Sequence, residues 1–163
     1  MSANILRKLA GKLSPNTLRV LGNLYLPFIG AAIKTTRVTD DYLQLDVRMK
    51  LTWFNRNYVG TQFGGSLYSM TDPFYMLMLM NNLGREYIVW DKGAKIDFIK
   101  PGRGTVFANF RLTKEQILKI KNTADAEKKY IFDLPVDVVD QNNELIAQVI
   151  KTLYVRRKKD LSV

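Results

Sequence analysis

The 163-residue sequence contains no cysteine and no histidine. Without cysteine there is no disulfide, no thiolate nucleophile and no cysteine-ligated zinc; such a composition suits a reducing compartment, and the cytoplasm is the expected location. The missing histidine removes more chemistry: it excludes Ser-His-Asp and Cys-His relays, histidine metal sites and a histidine acid or base. Any reaction must rest on carboxylates, backbone groups and water, so neither a metal ion nor another cofactor is expected. Long apolar runs are absent too. The stretch Phe74 to Met80 falls far short of the roughly 18 residues that a membrane span needs. Charges interrupt the first apolar segment and no small-residue cleavage site follows it, which argues against a signal peptide.

What is present suits one compact domain: 47% of the residues are hydrophobic, enough to build a core at this length. A helical arm over 1–29, a core over 30–157 and a basic tail over 158–163 are expected. The formal net charge of +10 points to an acidic partner, such as nucleic acid, anionic lipid or a phosphate-bearing small molecule. No nucleic-acid recognition motif accompanies the charge, so nucleic acid is not the expected partner. In the arm, Ile5, Leu6, Leu9 and Leu13 share a helical face while Arg7, Lys8 and Lys12 lie elsewhere. That pattern fits packing on the domain or on a neighbouring subunit better than a membrane-surface helix. Ser14 then caps, and Pro15 opens, a second helix through about Tyr25.

From Gly30 the hydrophobic period changes to two. Leu43, Leu45, Val47 and Met49 alternate with polar residues, the mark of a strand with one dry face. Further strands are expected from Tyr87 to Ile99, around Val106 to Leu112, around Phe132 to Val138, and from Glu144 to Arg157. Pro135 marks its strand as an edge or a bulge. Thr113 and Gln116 match a capping box and start a short helix to about Asn122. The predicted order is therefore arm, two strands, one long helix from Gly64 to about Leu83, and about four strands in meander order. This is an α+β architecture in which a curved antiparallel sheet of about six strands wraps one apolar helix.

The chemistry concentrates between Asn57 and Asp72. Gly64 and Gly65 open the central helix, whose first N–H groups lack internal partners and favour an oxygen carrying negative charge. Eight residues beyond Gly64, Asp72 is a lone carboxylate among Leu67, Met70, Phe74, Tyr75 and Met76. A carboxylate in such surroundings needs a partner, a proton or a chemical task. On a continuous helix the two groups would stand about 12 Å apart. They could then serve one substrate only if Asp72 of one copy met Gly64 of another, which predicts a homodimer. The same helical spacing places Gly65, Tyr68, Ser69, Tyr75 and Met76 on the Asp72 side, so Tyr68 or Ser69 could hydrogen-bond the carboxylate. The alternative is that the glycines merely permit a tight turn and Asp72 pairs with a lysine across a dimer interface.

A sheet around a central helix, with a glycine pair at the helix start and an acid eight residues on, resembles the hotdog fold. Within it, the segment is similar to that of acyl-CoA thioesterases of the phenylacetate-pathway type, roughly Asn-x-x-Gly-x-x-His-Gly-Gly-x-x-x-x-Leu-x-Asp. Asn57, Gly60, Gly64, Gly65 and Asp72 fall in register without a gap, and Met70 takes the leucine position. Phe63 stands where that family has histidine. The run Ile96-Asp-Phe-Ile-Lys-Pro-Gly102 resembles the strand and turn that follow the helix in these enzymes.

The resemblance implies a thioester hydrolase acting on acyl-CoA, with coenzyme A present only as part of the substrate. It implies that the Gly64 N–H stabilises the oxyanion and that Asp72 of the facing subunit activates water or attacks directly. Asn57, Phe63, Gly65, Tyr68 and Ser69 would surround the substrate, Asn57 chiefly by fixing the loop. Arg103, in a Gly-Arg-Gly turn, is the candidate contact for a coenzyme A phosphate, with Lys92, Lys95, Lys100 and Arg156 to Lys159 as further basic residues. Dimers could pair into tetramers. Because Phe63 replaces the histidine, a non-catalytic acyl or acyl-CoA binding module is the alternative.

Overall fold

The computed structural model describes residues 14–158. The expected helix Ala3 to Leu13 and all but the first residue of the basic tail lie outside the described residues. Helix α1 (Pro15–Asn23) starts where the sequence predicts, with the Ser14 hydroxyl accepting from the Thr17 N–H at 3.2 Å. A second arm helix, α2 (Leu26–Ala31), leads into the sheet. Asn23 ties the arm down by accepting from the Thr35 N–H at 2.8 Å and donating to the Thr35 carbonyl at 3.1 Å.

The sheet contains β1 (Ile33–Val38), β2 (Gln44–Lys50), β3 (Tyr87–Phe98), β4 (Thr105–Arg111), β5 (Tyr130–Asp140) and β6 (Leu145–Arg157). Its spatial order is β1-β2-β4-β5-β6-β3, antiparallel throughout. The meander expected after the central helix is therefore corrected: β3 does not neighbour β4 but lies beyond β6, on the far edge. The reason is geometric. The central helix crosses the concave face and delivers the chain to the opposite side, where Tyr87 and Val89 pair with Arg157 and Val155 of β6.

The central helix needs a second correction. In place of one rod from Gly64 to Leu83 there are α3 (Gly64–Ser69) and α4 (Phe74–Leu83). Pro73 supplies no N–H and disfavours helical geometry at Asp72, so the helix ends before it and restarts after it. The Asp72–Pro73 peptide bond is cis. Asp72 thus sits in a bend rather than on a continuous helical face, and the helical-spacing argument for its neighbours fails from there on. Tyr75, expected on the Asp72 side, instead donates its hydroxyl to the Pro135 carbonyl at 2.8 Å.

Burial explains the wrap. Helix α4 buries Phe74, Met78 and Leu79 against Leu45, Val47, Val106 and Phe110 of the sheet. Phe28 of the arm joins through Phe74, their ring centroids 5.8 Å apart. Between β4 and β5, α5 (Lys114–Ala126) opens with the predicted capping box and runs past Asn122 to Ala126, where Ile120 and Ala124 are buried. Strand β5 pairs with β4 only from Val138 to Asp140, so at Pro135 it is locally an edge, as a proline requires. Among the described residues no helix is long and apolar enough to cross a membrane.

Candidate active site

The loop before α3 is fixed by one side chain. Asn57 accepts from the N–H groups of Val59 (3.1 Å) and Thr61 (3.0 Å) and donates to the Thr61 hydroxyl (2.9 Å). Gly60 turns there with a φ of 81°, which other residues adopt at a cost. Helix α3 has no side-chain cap at Phe63. Among the described residues, nothing accepts a hydrogen bond from the N–H groups of Gly64 or Gly65. Both glycines are closely covered. A Cβ on Gly65 would stand 2.5 Å from the Phe63 ring, and one on Gly64 would stand 3.0 Å from the Phe98 ring.

Asp72 has a lysine partner within its own chain, where the alternative reading of the sequence placed one across a dimer interface. Lys151, at the centre of β6 and 1% exposed, brings Nζ to 2.7 Å from Asp72 Oδ1. The same ammonium lies 3.2 Å from Asp91 Oδ1 on β3 and 5.3 Å from the centroid of the Tyr68 ring. Among the described residues Lys151 hydrogen-bonds Asp72 at Oδ1; the Asp91 carboxyl also lies within hydrogen-bonding reach of Asp72, and the Asp72 side chain is 43% exposed. Tyr68 and Ser69 line the same hollow as Asp72; the Ser69 hydroxyl donates to the Gly65 carbonyl at 2.8 Å, within its own helical turn, and the Tyr68 ring faces the Lys151 ammonium.

Asp91 and Lys151 were missed, although the sequence carries their signal. Lys151 is in phase with Val149, Leu153 and Val155 on the dry face of β6. Asp91 is in phase with the buried Tyr87 and Val89 of β3. A lone charge on a dry face demands a counter-charge, and here each supplies the other. A register shift between Asp91 and Gly93 accompanies the approach.

Burial dominates the titration of Asp91. It pushes the carboxyl up to about 6, the Lys151 charge opposing and the Asp72 carboxylate adding to the rise. Neither Asp91 oxygen meets full hydrogen-bond geometry among the described residues, the Lys151 ammonium lying 3.2 Å from Oδ1. Burial would lower the Lys151 ammonium, but the hydrogen bond and charge of Asp72, with the charge of Asp91, outweigh it and hold it above its usual value. A carboxyl raised from 3.8 to about 6 keeps, when folded, a proton that the unfolded chain has released. Its contribution to stability is therefore present below about pH 4 and lost as pH rises toward 6. Asp91→Asn should stabilise the protein at pH 7 by about 1–2 kcal/mol, allowing for the water that reaches the side chain, and little at pH 4. Thermal melts of both proteins at the two pH values read this directly; an equal difference at both would refute it.

Two hollows divide the candidate residues. One of about 510 Å³ lies between the arm and the break in the central helix, walled by Leu18, Leu21, Phe28, Phe74 and Leu77, with Asp72 as the one charged lining residue among those described. The other, of about 390 Å³, holds Asn57, Gly64, Phe98 and Lys100. Gly64 and Asp72 of one chain thus open into different hollows. Phe63 and Gly65 line a third, with Phe54 and Ser69. Arg103 is exposed on the β3–β4 turn and lines none of these, whereas Lys100 does and is paired with Glu144 at 3.3 Å.

The curved sheet around a central helical segment is the hotdog fold, and solved structures share it. A Pseudomonas aeruginosa protein described as of unknown function and a probable thioesterase superposes with a TM-score of 0.75 at 15% identity, covering 97% of each chain. A thioesterase from Haemophilus influenzae gives 0.64 at 14% identity, over 93% of this chain and 96% of the other. The PaaI protein of the Escherichia coli phenylacetic acid degradation operon gives 0.57 at 15% identity, over 86% and 89%. No curated protein matches the sequence. The chain belongs to the family described as Domain of unknown function (DUF4442), which matches residues 16–155.

Proposed function

We propose that this protein is an acyl-CoA thioesterase whose site is completed by two copies of the chain. The observation that carries the reading is the division of the motif. One hollow offers the unbonded amide of Gly64, the other a carboxylate anchored at Oδ1 by Lys151 and 43% exposed. Juxtaposing the first hollow of one protomer with the second of its partner would put an oxyanion donor and a base or nucleophile on opposite sides of one thioester carbonyl. The thioesterase-like neighbours share the fold in which this arrangement is proposed.

Self-association has a physical motive. Strand β3 is a long sheet edge that no other described strand covers, and Trp90 on it is 66% exposed, with Phe98 and Ile99 exposed at its end. An open edge flanked by exposed aromatics invites pairing, and a two-fold axis through β3 satisfies both edges at once. Coenzyme A would then enter past Gly64, with Lys100 nearer than Arg103 to any phosphate in that hollow.

Subunit mixing tests the reading. Gly64→Pro deletes the N–H, and the extended Phe63 backbone (φ −70°, ψ 128°) already suits a following proline at the first helical position. Gly64→Ala restores the N–H while keeping the bulk near Phe98. Gly64→Pro should lower kcat about a hundredfold, and Gly64→Ala much less. Mixing Gly64→Pro with Asp72→Asn subunits should recover about a quarter of wild-type activity, because half the dimers are mixed and each carries one intact site. No recovery after verified subunit exchange defeats the shared site. Phe63 over Gly65 favours the second reading, a non-catalytic acyl-CoA binding module, which predicts binding without thiol release from any acyl-CoA.

A further inference from the structure

We infer that the hollow between the arm and the central helix takes the hydrocarbon tail of the substrate, making the protein selective for straight aliphatic acyl chains of medium or greater length. This rests on the thioesterase reading above. At about 510 Å³ the hollow lies in the range that encloses a drug-sized ligand, far beyond the needs of an acetyl group. Its walls come mainly from α1, α2 and α4 and are mostly aliphatic and aromatic, with Tyr25 at the rim and Thr35 of β1 and Tyr68 and Ser69 of α3 as its hydroxyl-bearing members. Among the described residues the one charged group that lines it is Asp72, the group that would meet the thioester carbon. An apolar chain running from that carbon would follow the apolar wall, leaving the carboxylate at the reacting end.

Gly22 supplies an independent argument. It lies in the last turn of α1 and lines the hollow. A Cβ built there would meet only the Thr35 hydroxyl, at 3.9 Å, so no neighbour requires glycine. Its φ is not in the left-handed region either. Glycine is unfavourable in a helix, and an apolar hollow left open forfeits packing, so both features weaken the fold at one place. An apolar ligand that fills the hollow accounts for both. The arm is held to β1 by the Asn23 and Thr35 hydrogen bonds, so the wall it forms is built into the sheet.

The measurement is kcat/KM for saturated acyl-CoAs from acetyl to palmitoyl. For the wild type it should climb about fourfold per methylene until the hollow is filled, then level off. Gly22→Phe puts a ring into the space and should cut the ratio of decanoyl-CoA to butyryl-CoA activity at least thirtyfold. Leu77→Phe, from the opposite wall, should shift the same ratio the same way and covers the case in which the first variant fails to fold. A flat chain-length profile, or a ratio untouched by a folded variant, overturns the inference. So does a change in oligomeric mass with no change in ratio, which would make the hollow a protein interface. If the wild type cleaves no acyl-CoA, the thioesterase reading fails separately, and the hollow is then read by calorimetry with the unreactive thioethers S-decyl-CoA and S-ethyl-CoA. Binding of the decyl form at least a hundredfold tighter, lost in Gly22→Phe, supports the tail site, and equal binding overturns it.

Discussion

Replacing Asp72 with asparagine should lower kcat for acyl-CoA hydrolysis by about a thousandfold while the melting temperature moves by only a few degrees. The two halves of this expectation have separate physical sources. Asparagine keeps the size of aspartate and can still accept from Lys151 through Oδ1, so the 2.7 Å contact survives as a neutral hydrogen bond. The buried ammonium keeps a counter-charge in Asp91, 3.2 Å away. The fold therefore loses one charge of a three-charge cluster, and the remaining pair is neutral. The reaction, by contrast, loses its only candidate base in the apolar hollow, and an amide neither takes a proton from water nor attacks a thioester.

The rival account of Asp72 makes the opposite forecast. If its carboxylate serves only to balance Lys151, then Asp72→Asn changes stability and its pH dependence but leaves turnover near the wild-type level. The structure sharpens this contest, because the lysine imagined across a subunit boundary lies in the same chain. Anchoring by Lys151 at Oδ1, with 43% of the side chain exposed, suits a working carboxylate: one contact for orientation and an accessible face for chemistry. Single turnover in isotopically labelled water would separate the two catalytic routes. Label incorporated into Asp72 marks direct attack, with water opening the aspartyl anhydride at the aspartyl carbon and the acyl group leaving as the acid. An acyl-enzyme trapped by acid quench marks the same route when water attacks the acyl carbon, and absence of both marks a base.

The parts of this molecule that were legible in the sequence are those set by local rules. Strand β2 was readable because Leu45, Val47 and Met49 alternate, and all three are buried. The Thr113–Gln116 box and the Ser14–Pro15 start obey geometry confined to one helical turn. Asn57 could be read as a loop fixer because its partners lie within five residues. What escaped was long-range. The place of β3 next to β6 depends on where the central helix ends, which no local pattern encodes. The break at Pro73 was signalled by proline itself, but the weight of apolar residues on both sides made one helix the simpler reading. Asp91 and Lys151 were visible only to a phase analysis that asks which charged residues fall on dry faces, and their meeting requires the β3–β6 pairing.

The second large effect belongs to Lys151. Lys151→Met should destabilise the protein by about 3–5 kcal/mol at pH 7, because it removes the shared cation and leaves two carboxylates near each other in a poorly hydrated site. The loss should read as a drop of roughly 10 °C in the melting temperature for a chain of this size. The remedy follows from the cause. Acidification should restore part of the stability of Lys151→Met, since Asp91, already pushed up to about 6 in the presence of the lysine, will hold its proton to higher pH without it. Adding Asp91→Asn should recover a similar part at neutral pH. Should Lys151→Met melt with the wild type and show the same pH profile, the ammonium is not the keystone of the cluster and the charge assignments built on it fall. A methionine packed among Val149, Leu153 and Val155 would be the cheaper way to fill that position if packing were the only requirement. The lysine instead buries an ammonium on strand β6 to hold one oxygen of a carboxylate at a helix break, and that cost is the means of keeping Asp72 aimed.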